Sequence, residues 1–186
     1  MAEYYLISQL PSLDAIGENT PMPITQEQFF ELCNRFLNKK AVAEIENLTL
    51  APSLEQEKTG SKLIDAWNIG EKSLRIALAK VRAEKMNKSF DVNNNTPSLE
   101  ICKMVSAAIE LKNPLEAEKF LLNYRLSFLE TLRPGDMFSK EYLYYYALKL
   151  KLISRIREFD AVIGESTYKN IYNSILDGDR LEAKYE

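Results

Sequence analysis

Three pairs of carboxylates are the side chains in this sequence that could act together as a general acid and a general base. They are Glu55 with Glu57, Glu116 with Glu118, and Asp177 with Asp179. The members of each pair lie two positions apart, and on a helix this spacing does not place the side chains side by side. An acid–base pair has to reach one reacting group within hydrogen-bond distance. The spacing therefore does not predict a catalytic dyad.

The absence of histidine excludes the most familiar reaction mechanisms. None of the 186 residues is a histidine, which removes Ser-His and Cys-His nucleophiles and every zinc site that needs a His ligand. Gly60 and Gly70 lack the spacing of a phosphate-binding loop. Asp177-Gly178-Asp179 lacks the remaining ligands of an EF-hand. We predict a protein that is not an enzyme and has no catalytic, cofactor-binding or metal-binding residues.

The composition is that of an ordinary soluble protein. Hydrophobic residues make up 46% of the chain and charged residues 27%, with a net charge of −3. This supports a buried core and predicts no binding of nucleic acid. No stretch approaches the ~20 apolar residues of a membrane-spanning helix, and no basic residue precedes the apolar start as in a secretory signal. Cys33 and Cys102 are expected to be free thiols, so we predict a cytoplasmic protein.

Apolar residues recur with the period of a helix rather than that of a strand. Thr25 and Gln28 have the spacing of a capping box, and an apolar stripe follows them along one helix face. A second stripe runs from Trp67 to Val81. No alternating run rich in β-branched residues is present. We predict an all-α fold, an antiparallel bundle of about six to seven helices with a long helical hairpin in the C-terminal half.

Proline, glycine and asparagine mark the expected boundaries in the second half of the chain. The segment SFDVNNNTPSLE is rich in turn residues and predicts a surface loop. We expect a single all-helical domain over residues 1–186, with two halves divided near 90–96 as the alternative. The expected helices are Pro97–Lys112, Pro114–Leu132, Lys140–Ile163 ending at Gly164, and Thr167–Leu176 ending at Gly178.

The apolar start of the chain, YYLISQLPSL, is too short for a membrane span and too apolar for a free terminus. Pro11 prevents one helix from running through it. We expect Tyr4 to Ile7 to form an extended or single-turn anchor. Leu10 and Leu13 would then fasten this segment onto the core.

Four tyrosines crowd the stretch EYLYYYALKLKLISRIREFD. Tyr142, Tyr144, Tyr145 and Tyr146 spread over roughly 300° of a helix that turns about 100° per residue, so one core face cannot take them all. Either neighbouring helices cover three sides, or some of the rings form a partner surface, because tyrosine offers a large area and a hydroxyl.

Basic residues follow the tyrosines on the same helix. Acidic residues flank them, so ion pairs on a solvated face are a better explanation than a nucleic-acid site. On the hypothesis of a partner surface, the candidate partner-binding residues are Tyr142, Tyr144, Tyr145, Lys149 and Arg155.

Several stretches resemble proteins of the V/A-type ATPases. YYLISQLPSL, ITQEQFFELC and LRIALAKVRAEKM resemble a small bacterial family encoded among the subunits of these ATPases. YLYYYALKLKLISRIREFDAVI is similar to the helices of the V/A-type ATPase C (d-type) subunit, although this chain is much shorter than that three-repeat subunit.

The resemblance implies an all-helical accessory or C-like subunit that performs no chemistry. In that family the subunit sits between the central stalk and the membrane ring, so the implied partners are V/A-type ATPase subunits. It would lie in the cytoplasm, peripheral to the inner membrane through the complex. The alternative is a stand-alone helical adaptor or regulatory protein with no connection to the ATPase.

Overall fold

The chain folds into helices in every segment that the structure describes. The computed structural model describes residues 2–14, 20–53, 58–90, 96–158 and 161–182, and these contain no strand, so the predicted all-α class is confirmed. Within these ranges there are eight helices rather than six or seven. They are α1 Ala2–Gln9, α2 Gln26–Phe36, α3 Lys39–Glu46, α4 Lys62–Lys85, α5 Leu99–Glu110, α6 Pro114–Thr131, α7 Lys140–Arg157 and α8 Ala161–Glu182.

Polar side chains cap the N-termini of six of these helices. The predicted capping box of α2 is present: the Gln28 amide N–H donates to Thr25 Oγ1 at 3.2 Å and the Thr25 N–H donates to Gln28 Oε1 at 3.0 Å. Each cap satisfies amide groups that have no partner within the helix. The caps are Thr25, Asn38, Ser61, Ser98, Asn113 and Ser139.

The start of α5 differs from the sequence-based expectation. Ser98 caps α5, so the helix begins at Leu99 and not at Pro97. Serine is among the most favourable N-cap residues, which explains the later start. The spacing of Ser53 and Gln56 also predicts a capping box, but Gln56 lies outside the described residues.

The C-terminal helix is longer than predicted. We expected one helix to end at Gly164 and the last to end at Gly178, but α7 ends at Arg157 and α8 passes through both glycines. A glycine inside a helix costs only about 1 kcal/mol, so it weakens a helix without having to end it. The result is a C-terminal helix of 22 residues, about 33 Å long.

The start of the chain is helical rather than extended. Pro11 excludes only its own position and the one before it from helical geometry, which leaves room for the two turns of α1. Leu6, Ile7 and Leu13 are buried, as an anchor requires. Tyr4, in contrast, is exposed.

Two apolar clusters make up the core. The larger cluster surrounds α7 and takes side chains from α1, α2, α3, α4 and α6, including Leu6, Phe29, Trp67 and Leu129. The smaller cluster joins the C-terminal half of α4 to α5 and α6. Because α4 and α5 pack on each other, they lie in one cluster although they flank the predicted boundary near 90–96; residues 91–95 themselves lie outside the described ranges.

Gly70 lets α4 pack closely against α6. A β-carbon at this position would lie 2.3 Å from Cε1 and 2.4 Å from Cζ of Phe128. The Phe128 ring in turn stacks on Trp67, with the ring centroids 6.2 Å apart. The glycine that weakens α4 locally is therefore required by the packing of the larger cluster.

We expect Gly70→Ala to lower the free energy of unfolding by about 1 kcal/mol. The gain in helix propensity is about 1 kcal/mol, but overpacking costs roughly 1–3 kcal/mol because Phe128 has to move off Trp67. Urea denaturation followed by circular dichroism measures the change. Gly164→Ala is the matched control, because its β-carbon would meet no atom within 4 Å. An increase in stability for Gly70→Ala would contradict the packing argument.

Candidate interaction surface

The tyrosine helix α7 is an interior helix. The exposed fractions of Tyr144, Tyr145 and Tyr146 are 3%, 2% and 3%. Neighbouring helices cover the three sides, which is the first of the two alternatives considered above. The rings of Tyr144 and Tyr145 are packed inside the chain and do not form the exposed surface on which their predicted partner binding depends.

Each buried tyrosine hydroxyl bonds to a different part of the chain. Tyr144 donates to Glu44 Oε2 at 2.5 Å, Tyr145 to Glu130 Oε1 at 2.7 Å, and Tyr146 to the Pro11 carbonyl at 2.9 Å. Burial raises the pKa of Tyr144 and of Tyr145 to about 12. Three consecutive residues thus tie α7 to three separate segments, which explains how a 300° spread of rings is accommodated.

Lys149 is buried as well and forms an internal ion cluster. Its Nζ lies 2.6 Å from Asp14 Oδ1 and 2.6 Å from Glu130 Oε1, and it donates to Tyr145 Oη at 3.2 Å. Burial lowers the pKa of Lys149, but the hydrogen bonds to Asp14, Glu130 and Tyr145 outweigh it, and the net effect is a raised pKa. Lys149 is therefore a structural cation and not a residue available to a partner.

The remaining candidates, Tyr142 and Arg155, do not form a surface together. Tyr142 is half-buried, with its ring centroid 5.6 Å from that of Tyr145. Arg155 lies near the other end of α7, where its Nη2 is 3.6 Å from Glu118 Oε1. The structure thus separates the five predicted partner-binding residues into a buried group and two residues at different ends of one helix.

A cleft between α3, α4 and α7 brings four ionisable side chains together. Its volume is about 460 Å³, and Glu44, Lys140, Glu141 and Tyr144 contribute to its walls. Glu44 accepts hydrogen bonds from Lys140 and Tyr144. The hydrogen bond from Lys140 lowers the pKa of Glu44, so this carboxyl is ionised at neutral pH.

The two carboxylates of this cleft accept hydrogen bonds from other groups of the same chain. Glu141 Oε2 accepts from Ser61 Oγ at 2.8 Å and from the Leu63 amide at 3.0 Å, at the N-terminus of α4. These bonds fasten α3 and α4 to the start of α7. Because the geometry serves to hold helix ends, we assign the cleft a structural role.

An unexpected apolar stripe lies on α8. Tyr168, Ile171, Tyr172 and Ile175 follow the spacing i, i+3, i+4, i+7 and so share one face of the helix. Each is 51 to 67% exposed, and the rings of Tyr168 and Tyr172 stack with their centroids 6.1 Å apart. We call these four residues the α8 stripe.

The described part of the chain leaves this stripe uncovered. All residues from 164 to 175 are exposed, and among the described residues α8 is absent from the helix pairs that pack closely. A helix in a protein is stabilised mainly by packing its apolar face. Contiguous exposed apolar surface is typical of interaction sites, so the α8 stripe is a candidate for one.

A second exposed apolar surface lies beside the start of α7. The rings of Tyr4 and Phe138 pack at a tilt of 30° with their centroids 4.6 Å apart, and Tyr5 meets the edge of Tyr4 at 6.0 Å. Together with Met137 these side chains are 45 to 58% exposed. We call Tyr4, Tyr5, Met137 and Phe138 the aromatic patch.

The sequence shows the spacing of the α8 stripe, but it does not show that the stripe is exposed. The helical spacing of Tyr168, Ile171, Tyr172 and Ile175 is visible in the residues themselves. The same spacing is typical of a helix buried on one side, so it cannot distinguish a covered face from a free one. The aromatic patch had no such signal, because it joins residues from two distant segments.

Searches of the described residues for membrane spans and metal sites, and comparisons of the chain with known proteins, do not assign a function. Among the described helices, none combines the length and apolar character needed to cross a membrane. Within the same residues, no cluster of three or more Cys, Asp or Glu side chains is arranged to hold a metal ion. Comparisons of the chain with protein-family models, with curated proteins and with solved structures found no match.

Proposed function

We propose that this chain is a non-catalytic helical interaction protein that binds another protein chain through the α8 stripe. The observation that carries the proposal is the exposure of four large apolar side chains at i, i+3, i+4 and i+7 on a helix that its own bundle does not cover. Amphipathic helices that enter a groove of a partner use this set of anchor positions.

We propose that the complex to which this chain belongs is a V/A-type ATPase. The support is the resemblance of YLYYYALKLKLISRIREFDAVI to C (d-type) subunits. In this proposal the chain is an accessory or C-like subunit, its partners are central-stalk and membrane-ring subunits, and it reaches the inner membrane only through the complex. The competing proposal is a stand-alone adaptor or regulator, which the burial of Tyr144 to Tyr146 favours, because burial removes the surface first expected to meet the ATPase.

Site-specific photo-crosslinking in the native host tests both parts of the proposal. We expect p-benzoylphenylalanine in place of Tyr172 to form covalent adducts with other chains after irradiation, because this side chain lies in the stripe. The same substitution at Asn170, which is exposed on the opposite face of α8, is the matched control. Mass spectrometry then identifies the chains in the adducts.

The outcomes test binding through the α8 stripe separately from membership in the V/A-type ATPase. Adducts that contain V/A-type ATPase subunits would support the accessory-subunit proposal. Adducts with other proteins, but with none of these subunits, would support the adaptor. Equal adduct yields from positions 172 and 170 would contradict a role of the α8 stripe in binding.

A further inference from the structure

The chain exposes two apolar surfaces of similar size, one beside the start of α7 and one on α8, the helix that follows α7. The aromatic patch ends at Phe138, directly before the Ser139 cap of α7. The α8 stripe belongs to the helix that begins at Ala161, shortly after α7 ends. Eighteen residues of helix separate the two ends, which corresponds to about 27 Å.

The area of the α8 stripe alone is too small for a stable symmetric pair of α8 helices. From its exposed fractions the stripe offers roughly 450 Å² per copy, since an aromatic side chain buries about 150–250 Å². Two stripes facing each other would bury about 900 Å² in total, below the ~1,200 Å² at which stable interfaces begin. Self-pairing of α8 is therefore a poor way to cover it.

A reciprocal arrangement buries enough area. If the stripe of each copy covers the aromatic patch of the other, both surfaces of both copies are removed from water. The total is then about 1,700 Å², which is the size of a standard stable interface. One partner thus accounts for both exposed surfaces at once.

The positions of the two surfaces suit a two-fold dimer. A two-fold axis perpendicular to α7 sets the α7 helices of the two copies antiparallel, and this brings the patch of each copy to the end where the α8 of the other begins. The centre of the stripe, near Tyr172, lies about 17 Å along α8 from Ala161. The helix is therefore long enough to extend over a neighbouring bundle.

An ion pair lies beside the stripe. Within the exposed part of α8, Glu165 and Lys169 lie 2.7 Å apart, so their charges neutralise one another.

We infer that the partner of the α8 stripe is the aromatic patch of a second copy of this chain, so that two copies exchange α8 helices in a reciprocal homodimer. The inference rests on the proposed function, since it names the occupant of the same surface.

Sedimentation of the purified full chain tests the dimer directly. We expect a concentration-dependent species of twice the 21.4 kDa monomer mass. Ile171→Lys in the stripe and Phe138→Lys in the patch should each weaken dimerisation by more than tenfold, because each puts a charge into both copies of the apolar contact. Asn170→Lys, on the opposite face of α8, should leave the dimer unchanged. Circular dichroism checks that each variant is folded.

Mixing the two weakened variants distinguishes exchange from other dimers. In a heterodimer of Ile171→Lys with Phe138→Lys, one of the two contacts combines an unaltered stripe with an unaltered patch. The mixture should therefore associate more tightly than either variant alone. No gain on mixing, or a dimer that tolerates Phe138→Lys, would overturn the exchange.

The test also separates the inference from the proposed function. If the chain sediments as a monomer at every concentration while p-benzoylphenylalanine at position 172 crosslinks to other proteins, the homodimer is overturned and the interaction role stands. A monomer whose position 172 gives no more adducts than position 170 would overturn both.

Discussion

Arg125→Met should destabilise the folded chain by about 3 kcal/mol near neutral pH, the largest effect that we expect from a single side chain. Arg125 Nε lies 2.7 Å from Glu71 Oε1, with only 15% and 3% of the two side chains exposed. The second oxygen, Glu71 Oε2, is buried with no hydrogen-bond partner in the part of the chain that the structure describes. Removing the guanidinium leaves this buried carboxylate without its hydrogen-bonded counter-ion, although the charge of Arg75 continues to lower its pKa.

The loss caused by Arg125→Met should shrink in acid. Burial raises the pKa of Glu71 above its usual 4.5 even though Arg125 opposes the shift. Without Arg125 the pKa rises further, so the folded variant holds a proton that the unfolded chain releases. Its stability therefore falls as the pH rises from 4.5 through the folded-state pKa. Chemical denaturation of both proteins at about pH 5 and about pH 7.5 measures the difference.

Two further variants make this prediction decisive. Glu71→Gln combined with Arg125→Met should recover much of the loss at neutral pH, because no buried charge remains. Arg82→Met, at an exposed position of α4, is the matched control and should change stability by less than about 0.5 kcal/mol. An equal loss at both pH values would show that Arg125 acts through packing and not through Glu71.

Lys149→Met should cost about 2 kcal/mol near neutral pH. The ammonium holds Asp14 and Glu130, and so joins the segment after α1 and the end of α6 to α7. The exposed fractions of the Asp14 and Glu130 side chains are 56% and 41%, so water can replace part of their interaction with Lys149 after the substitution. The expected loss is for this reason smaller than for Arg125.

The loss caused by Lys149→Met should also shrink in acid, but in a lower pH range and for a different reason. The hydrogen bond from Lys149 lowers the pKa of Asp14 below its usual 3.8, and for Glu130 the hydrogen bonds from Lys149 and Tyr145 outweigh burial and also lower the pKa. This stabilisation is complete above the unfolded-state values and disappears as the pH falls through the folded-state values. The stability difference between the native chain and the variant should therefore narrow below about pH 4.

Measuring the free energy of unfolding of both proteins from neutral pH into acid tests this narrowing. Lys103→Met, at an exposed position of α5, is the control for loss of a lysine charge and should show no narrowing. A constant difference between Lys149→Met and the native chain from neutral pH into acid would mean that the carboxylates do not depend on Lys149.

Local features of the sequence predicted the helices well. The Thr25 and Gln28 box and the Asn113-Pro114 start are present where their spacing placed them. Helix ends were less predictable, because Gly164 and Gly178 are signals that a helix can absorb. We expected Tyr4 to Ile7 to form a short anchor, but these residues belong to helix α1. Pro11 disfavours helical geometry only at its own position and at the residue before it.

The sequence by itself determined that this chain is helical, since capping and periodicity are set by residues within a few positions of one another. Only the tertiary structure decided which helix faces are covered. Tyr144 is buried because Glu44 meets it and Tyr146 because Pro11 does, from residues about a hundred or more positions away. The α8 stripe is exposed because no distant segment in the described ranges packs over it. Burial depends on contacts between remote parts of the chain, and for this reason the aromatic helix expected to meet a partner became the core, while the last helix became the surface.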